Sequence, residues 1–132
     1  YPVEPARVYL TGINMGGVGA WELGTGDPDV FAALVPICGG GDPHRADRLV
    51  TKRGAKPVWL FHSARDRAMP VEGSDRIFDG LRARDGYVTY TRYDDLDHVQ
   101  TWERAYGSSV LYDWLLAHSL PGSEEYAATD LQ

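Results

Sequence analysis

Apolar residues in this chain gather in short runs that alternate with longer segments of mixed polarity. Two of the runs, Phe31–Ile37 and Pro57–Phe61, are nearly continuous in apolar residues. A short continuous run is typical of a strand that is buried on both faces of a parallel sheet. The four predicted strands are Arg7–Thr11, Phe31–Ile37, Pro57–Phe61 and Tyr87–Tyr93.

The segments between these strands predict helices. Apolar residues recur at helical spacing along one side of Pro70–Arg84, namely Val71, Ile77, Phe78 and Leu81. The predicted helices are Gly16–Gly24, a short one near His44–Leu49 capped by Asp42, Pro70–Arg84, and a last one from about Tyr106 to His118. Strands that alternate with helices indicate an α/β fold, in which about four parallel strands carry helices on both faces.

Composition narrows the function classes. The 132 residues are enough for one domain, and we assign residues 1–120 to it and residues 121–132 to a polar C-terminal tail. A net charge of −6 argues against a nucleic-acid-binding surface, and no apolar run approaches the roughly 20 residues of a membrane helix. The single cysteine, Cys38, has apolar neighbours, which favours a buried and unreactive thiol.

The most informative motif lies between Val8 and Gly17. A short apolar strand leads into Gly12-Ile13-Asn14-Met15-Gly16 and then into a helix start rich in small residues. This pattern is typical of the G-x-S-x-G turn, which holds one residue at a strained strand-to-helix corner with its side chain projecting. The central residue here is Asn14, and a carboxamide is not a useful acyl nucleophile because no neighbouring base can activate it. The other interpretation is that Asn14 is an ordinary turn residue.

Two further candidates follow later strands. Asp66 comes after the third predicted strand and His98 after the fourth. Ligand sites of parallel sheets form at the carboxyl ends of the strands, so we expect both side chains near Asn14. In that arrangement Asp66 fixes the tautomer of His98, and His98 acts as a general base toward residue 14. The order nucleophile, acid, histidine is the order found in α/β-hydrolases.

These residues lie in segments that resemble the C-terminal half of an α/β-hydrolase, of the esterase, polyhydroxybutyrate-depolymerase-like or dienelactone-hydrolase-like group. The segments are RVYLTGINMGGVGAWELG, FAALVPICGGGDP, PVWLFHSARDRAMPVEGSDRIFDGLR and VTYTRYDDLDHVQTW, within residues 5–118. The resemblance implies a triad of Asn14, Asp66 and His98, with Asn14 where the family has serine. It also implies an elbow with Gly12 and Gly16, and an oxyanion donor in the backbone N–H of Met15.

The resemblance implies hydrolysis of a small-molecule carboxylic ester by acyl transfer, with the activity lost or strongly reduced because of Asn14. The alternative is a non-catalytic ligand-binding or interaction module on the same fold. A third interpretation, deamidation of Asn14 to a carboxylate nucleophile, is weakened because Met15 rather than glycine follows. We expect no cofactor and no metal, since the glycine spacing fits no nucleotide-binding motif and the acidic residues near His98 lack metal-site spacing.

The other candidate residues are also compatible with structural roles that involve no catalysis. His98 follows an acidic cluster and is also compatible with a solvated loop position, while Asp66 is also compatible with a cap or a partner of a neighbouring arginine. His62, at the end of the third strand, is predicted to line the cleft or to bond the backbone. Trp102 is a candidate pocket residue.

The first strand predicts a partner. The strands that precede it in the family have no counterpart here, so the sheet is expected to be truncated and residues 7–11 to form an apolar edge. An edge strand presents unpaired backbone groups to other chains. We therefore predict a homo-oligomer, or a complementing chain that pairs along this strand.

Overall fold

The computed structural model describes residues 2–122, so Tyr1 and residues 123–132 of the predicted C-terminal tail lie outside the described residues. The strands of the described part are β1 (Tyr9–Ile13), β2 (Ala33–Ile37), β3 (Val50–Thr51), β4 (Gly54–Ala55), β5 (Val58–Ser63) and β6 (Val88–Tyr93). Its α-helices are α1 (Met15–Gly26), α2 (Glu72–Arg82), α3 (His98–Tyr106) and α4 (Ser109–Leu116). Short 3-10 helices span Pro5–Arg7 and Pro43–Leu49.

The central sheet contains four parallel strands in the order β1-β2-β5-β6, which confirms the predicted α/β fold. Strands β1 and β2 end level, because Ile13 pairs with Ile37, and β5 and β6 continue two residues beyond them to the pair Ser63 and Tyr93. The loops after the strands therefore meet at one edge of the sheet, where parallel sheets bind ligands.

Helices cover both faces of the sheet and bury two apolar clusters. Successive residues of a strand point to opposite faces, so in the fully buried β2 Leu34 joins one cluster and Val35 the other. The cluster under α1 and α2 contains Trp21, Leu34, Ala46, Leu49, Val58, Leu60, Ile77 and Leu81. The cluster under α3 and α4 contains Val35, Ile37, Cys38, Phe61, Ala105 and Leu111.

The predicted last helix, from about Tyr106 to His118, corresponds to α4 (Ser109–Leu116), and the structure adds a helix before it, α3, that was not predicted. Helix α3 begins at His98, directly after Asp97. The Asp97 carboxylate accepts the N–H of Gln100 at 2.8 Å, and the Gln100 side chain accepts the N–H of Asp97 at 3.0 Å. This reciprocal capping box starts a helix where the sequence pattern indicated a loop.

The first strand also differs from its prediction. It runs from Tyr9 to Ile13 rather than from Arg7 to Thr11, because it continues through Gly12, which pairs with Pro36. The short antiparallel hairpin of β3 and β4 was not predicted. Strand β1 ends the sheet order, so one of its sides has no strand partner within residues 2–122.

The segment after α4 crosses back to the beginning of β1. The Arg7 guanidinium donates to the carbonyl of Leu116 at 2.8 Å, and the Tyr9 hydroxyl donates to the carbonyl of His118 at 2.9 Å. The N–H of Leu120 donates to the carbonyl of Ala6 at 2.8 Å. None of the described helices combines the length and apolar character that a membrane crossing requires.

Candidate active site

The turn between β1 and α1 holds Asn14 in a rare backbone conformation. Its φ is 56° and its ψ is −120°. A non-glycine residue with positive φ costs of order 1–3 kcal/mol, so surrounding contacts must hold it in place. The Asn14 N–H donates to the carbonyl of Ile37 at 3.0 Å, and its carbonyl accepts the N–H of Gly17 at 2.9 Å.

Two glycines make this turn possible. A Cβ atom on Gly12 would lie 2.1 Å from the carbonyl oxygen of Gly16, and a Cβ on Gly17 would lie 2.6 Å from the carbonyl oxygen of Ile37. A Cβ on Gly16 would meet nothing within 4 Å, so Gly16 takes part through its carbonyl rather than through a missing side chain. Met15 is the first residue of α1, so its N–H has no acceptor within the helix and is free to donate.

His98 and Asp66 form a hydrogen-bonded pair at the same edge. The His98 Nδ1–H donates to Asp66 Oδ2 at 2.5 Å, and the Asp66 side chain is fully buried while that of His98 is 16% exposed. The other ring nitrogen, His98 Nε2, is buried and has no hydrogen-bond partner among residues 2–122. With the proton on Nδ1, Nε2 carries a lone pair and can accept a proton as a general base.

The environment of Asp66 keeps it ionised. Its Oδ1 accepts the backbone N–H groups of Ala68 and Met69, each at 2.8 Å. Burial raises the pKa of Asp66, but the hydrogen bonds from His98, Met69 and Ala68 outweigh it and hold the pKa below its ordinary value. Asp66 is therefore a carboxylate at neutral pH, as an orienting acid must be. It makes these bonds rather than an ion pair with Arg65 or Arg67.

A second histidine contacts the same carboxylate. His62 in β5 is fully buried, and its Nε2 lies 3.2 Å from Asp66 Oδ2 and 3.0 Å from the carbonyl oxygen of Met69. Its Nδ1 lies 2.7 Å from the Ser74 hydroxyl, which is also 2.6 Å from the carbonyl oxygen of Gly39. Burial lowers the pKa of His62, although Met69 and Asp66 act in the opposite direction. His62 therefore lies beneath Asp66 in a polar network inside the fold.

Cys38 follows β2 and connects the two halves of the site. Its Sγ lies 3.8 Å from the carbonyl oxygen of His98, while its neighbour Ile37 accepts the N–H of Asn14. Burial, with Asp66 nearby, raises the pKa of the Cys38 thiol to about 12, so the thiol is protonated.

Cys38, His62 and Asp66 have ligand atoms within 4.8 Å of one another, and their side chains are of the kinds that zinc binds. A metal ion here would have to take Asp66 Oδ2 from His98 and deprotonate the buried thiol. His62 Nε2 and His98 Nδ1 both lie within 3.2 Å of Asp66 Oδ2, so His62 supports the His98–Asp66 pair from below.

A cleft of 790 Å³ opens beside this pair. It is lined by Asp66 and His98 together with residues of the loops after β5 and β6, including Arg65, Arg67 and Asp95. Asn14, His62 and Trp102 are not among the lining residues. Trp102 packs against the catalytic candidate instead, with its ring centroid 5.7 Å from that of His98.

Sequence reasoning missed Ser74 and the cap that orients His98. Ser74 is in α2 and contacts His62 only because α2 packs on β5. No local sequence pattern predicts such a contact. The cap was detectable, since Asp97 and Gln100 have the spacing of a capping box.

Comparison with models of known protein families gives no match, and no curated protein matches. Solved structures do match. A thermostable esterase aligns with a TM-score of 0.82 and 34% identity over 90% of this chain and 33% of the esterase. The esterase domain of a Rhodothermus marinus protein aligns with a TM-score of 0.63 and 20% identity, over 84% of this chain and 60% of that domain.

A candidate dienelactone hydrolase from Klebsiella pneumoniae subsp. pneumoniae MGH 78578 aligns with a TM-score of 0.57 and 22% identity, over 80% of this chain and 45% of that chain. The two matches below 25% identity support the fold alone. The described chain spans only a third of the thermostable esterase, so that match covers one part of a longer enzyme.

Proposed function

The chain has the α/β-hydrolase fold, and from that premise we propose that the turn at Asn14 and the His98–Asp66 pair form an ester-hydrolase site whose nucleophile position is occupied by Asn14. The observation that carries this proposal is the pairing of His98. One ring nitrogen is bonded to a buried carboxylate, and the other is buried without a partner in the described part of the chain. That is the arrangement of a general base which is held ready for a proton.

Each residue has a defined task in the proposed reaction. A hydroxyl at position 14 would attack the ester carbonyl carbon while His98 Nε2 takes its proton, and the alcohol would leave with that proton from His98. Water would then attack the acyl group in the same way and release the acid. Asp66 stabilises the imidazolium, and the Met15 N–H donates to the oxyanion. Asn14 has no hydroxyl to supply, so we expect turnover of this chain to be near background.

Hydrolysis of a short-chain nitrophenyl ester by the chain and by its Asn14→Ser variant tests the proposal. Loss of a triad member costs roughly 10³-fold or more, so the variant should gain activity on that scale. Asn14→Ala is the matched control, because it changes the same position without adding a nucleophile. His98→Ala in the Asn14→Ser background should remove the gain.

Three outcomes separate the interpretations. Activity only in Asn14→Ser, and dependent on His98, supports the proposal. A folded but inactive Asn14→Ser variant contradicts it for this chain. Activity already present in the parent, and lost with His98→Ala, would show that the nucleophile is another residue.

The second candidate function is a non-catalytic ligand-binding module. It is favoured by one observation, that the strained turn at residue 14 is kept although its side chain cannot act as a nucleophile. Binding of the unreacted ester should then be insensitive to His98→Ala but weakened by Arg67→Ala, because Arg67 lines the cleft. Tryptophan fluorescence titration measures ligand binding by the His98→Ala variant, and calorimetry measures it for both variants. Binding that depends on neither residue would rule out a ligand at this site.

For the partner, we propose that a second copy of the chain or a complementing chain pairs along β1. The support is the position of β1 at the end of the sheet order, with backbone groups that no strand of the described chain covers. Light scattering at working concentration tests the homo-oligomer, and pull-down by a tagged chain tests the complementing partner. A monomer that captures nothing would refute both.

A further inference from the structure

The backbone of Asn14 is already arranged for closure of a five-membered imide ring. Such a ring forms when the backbone nitrogen of the next residue bonds to the asparagine Cγ, and it is nearly planar. The Cβ and that nitrogen must therefore be eclipsed about the Cα–C bond. Tetrahedral geometry at an L-residue's Cα makes this happen at a ψ of about −120°. The ψ of Asn14 is −120°.

The two reacting groups, the Met15 N–H and the Asn14 carboxamide, are also free of hydrogen bonds within the helix end. Met15 begins α1, so its N–H has no acceptor within the helix, and the positive end of the helix dipole favours loss of its proton. The Asn14 carboxamide makes no capping hydrogen bond to the helix. Both partners of the ring closure can therefore meet without first breaking a bond of the helix end.

The bulk of Met15 does not oppose the reaction here. In a flexible chain, a large residue after asparagine slows ring closure because it disfavours the required backbone conformation. In this fold the conformation is fixed by the turn itself, and Met15 is 69% exposed, so its side chain is not confined against the ring. A large residue after asparagine therefore slows deamidation in the unfolded chain only.

We propose that Asn14 is a self-modification site, at which the folded chain converts asparagine to aspartate through a succinimide. The Met15 nitrogen bonds to Asn14 Cγ and gives its proton to solvent, while the carboxamide nitrogen takes a proton and leaves as ammonia. Solvent water then adds to the Cγ carbonyl, breaks its bond to the Met15 nitrogen and returns a proton to that nitrogen. The net change is one water consumed and one ammonia released.

The modification would change what this position can do. The product, a carboxylate at the N-terminus of α1, is stabilised by the helix dipole. A carboxylate is also a nucleophile, which a carboxamide is not. Ring closure needs only the geometry of the turn and does not depend on the proposed ester hydrolysis.

Intact mass spectrometry of the chain in ¹⁸O-water tests the proposal without any assay of activity. Asn14 is the single asparagine in the sequence, and a peptide map separates heavy oxygen at this position from any taken up at Asp79-Gly80 or Asp85-Gly86. The folded chain should convert about 10-fold to 100-fold faster than the chain in denaturant, because the unfolded chain seldom visits this strained backbone region.

Asn14→Gln is the matched control, since it keeps a carboxamide but would have to close a larger ring, and it should show no conversion. Equal or faster conversion in denaturant, or no conversion of the folded chain, would overturn the proposal. These results are independent of the ester assay. An inactive Asn14→Ser variant bears on the proposed function alone, and an unchanged mass bears on the modification alone.

Discussion

Gly12→Ala should destabilise the fold strongly, although it adds only one methyl group. The new Cβ would lie 2.1 Å from the carbonyl oxygen of Gly16 and 2.4 Å from its carbonyl carbon. Both atoms belong to the first turn of α1, so no side-chain rotation can relieve the contact. The strand and the helix would have to separate by more than an ångström.

The expected cost follows from that displacement. Overpacking of a core with flexible neighbours costs about 1–3 kcal/mol, and a rigid backbone contact belongs at the upper end, so we expect a loss of about 3 kcal/mol. For a domain of this size, that corresponds to a fall in melting temperature of roughly 10 °C. The turn at Asn14 would lose its geometry together with the stability.

Gly19→Ala is the matched control, because it makes the same chemical change within α1. Gly19 is exposed, and a Cβ there would meet nothing within 4 Å. Alanine is favoured over glycine in a helix by about 1 kcal/mol, so this variant should be more stable than the parent. Urea unfolding followed by circular dichroism measures both. A Gly12→Ala variant as stable as the parent would refute the close approach of β1 to α1.

Three further predictions concern the supports of the site. Asp97→Ala removes the cap of α3 and should cost about 1 kcal/mol by urea unfolding, and a variant as stable as the parent would contradict the capping role. Ser74→Ala leaves buried polar groups unpaired and should cost about 1–3 kcal/mol, whereas Ser74→Thr should restore part of the loss if the hydroxyl is what matters. Burial lowers the pKa of His62 and of His118. Below about pH 6.5 the unfolded chain therefore binds protons at these residues that the folded chain does not bind, so the free energy of unfolding should fall as the pH drops through this range. The lowered pKa of Asp66 should cause a second loss of stability below about pH 4. Urea unfolding at a series of pH values measures both losses, and a free energy of unfolding that does not change with pH would contradict these assignments.

The sequence predicted the sheet well where burial leaves a continuous apolar run. Strand β2 has no exposed residue, and its apolar run gave its position to within two residues. Strand β1 was shifted because Gly12 suggested a turn, although it is a strand residue that lets α1 approach. Helix α3 was not predicted because the acidic residues before it indicated a loop. One of them, Asp97, is the N-cap residue of the helix.

Only those contacts of the site that follow from the order of the strands could be predicted from the sequence. Asp66 and His98 follow different strands of one parallel sheet, so their meeting could be expected from topology. The second contact on Asp66 could not, because it depends on how deeply His62 lies in β5. The support from Ser74 depends in turn on how α2 packs over that strand. Such contacts arise from tertiary packing and have no spacing rule.

The crossing of the last segment onto β1 also sets an order of events in folding. The bond from Arg7 to the carbonyl of Leu116 joins positions 109 residues apart, as does the bond from Tyr9 to the carbonyl of His118. Contacts of such separation carry a large loop-closure entropy and form late. The contacts at the beginning of β1 therefore form late in folding, and until then the edge of this strand is open to pairing with other chains.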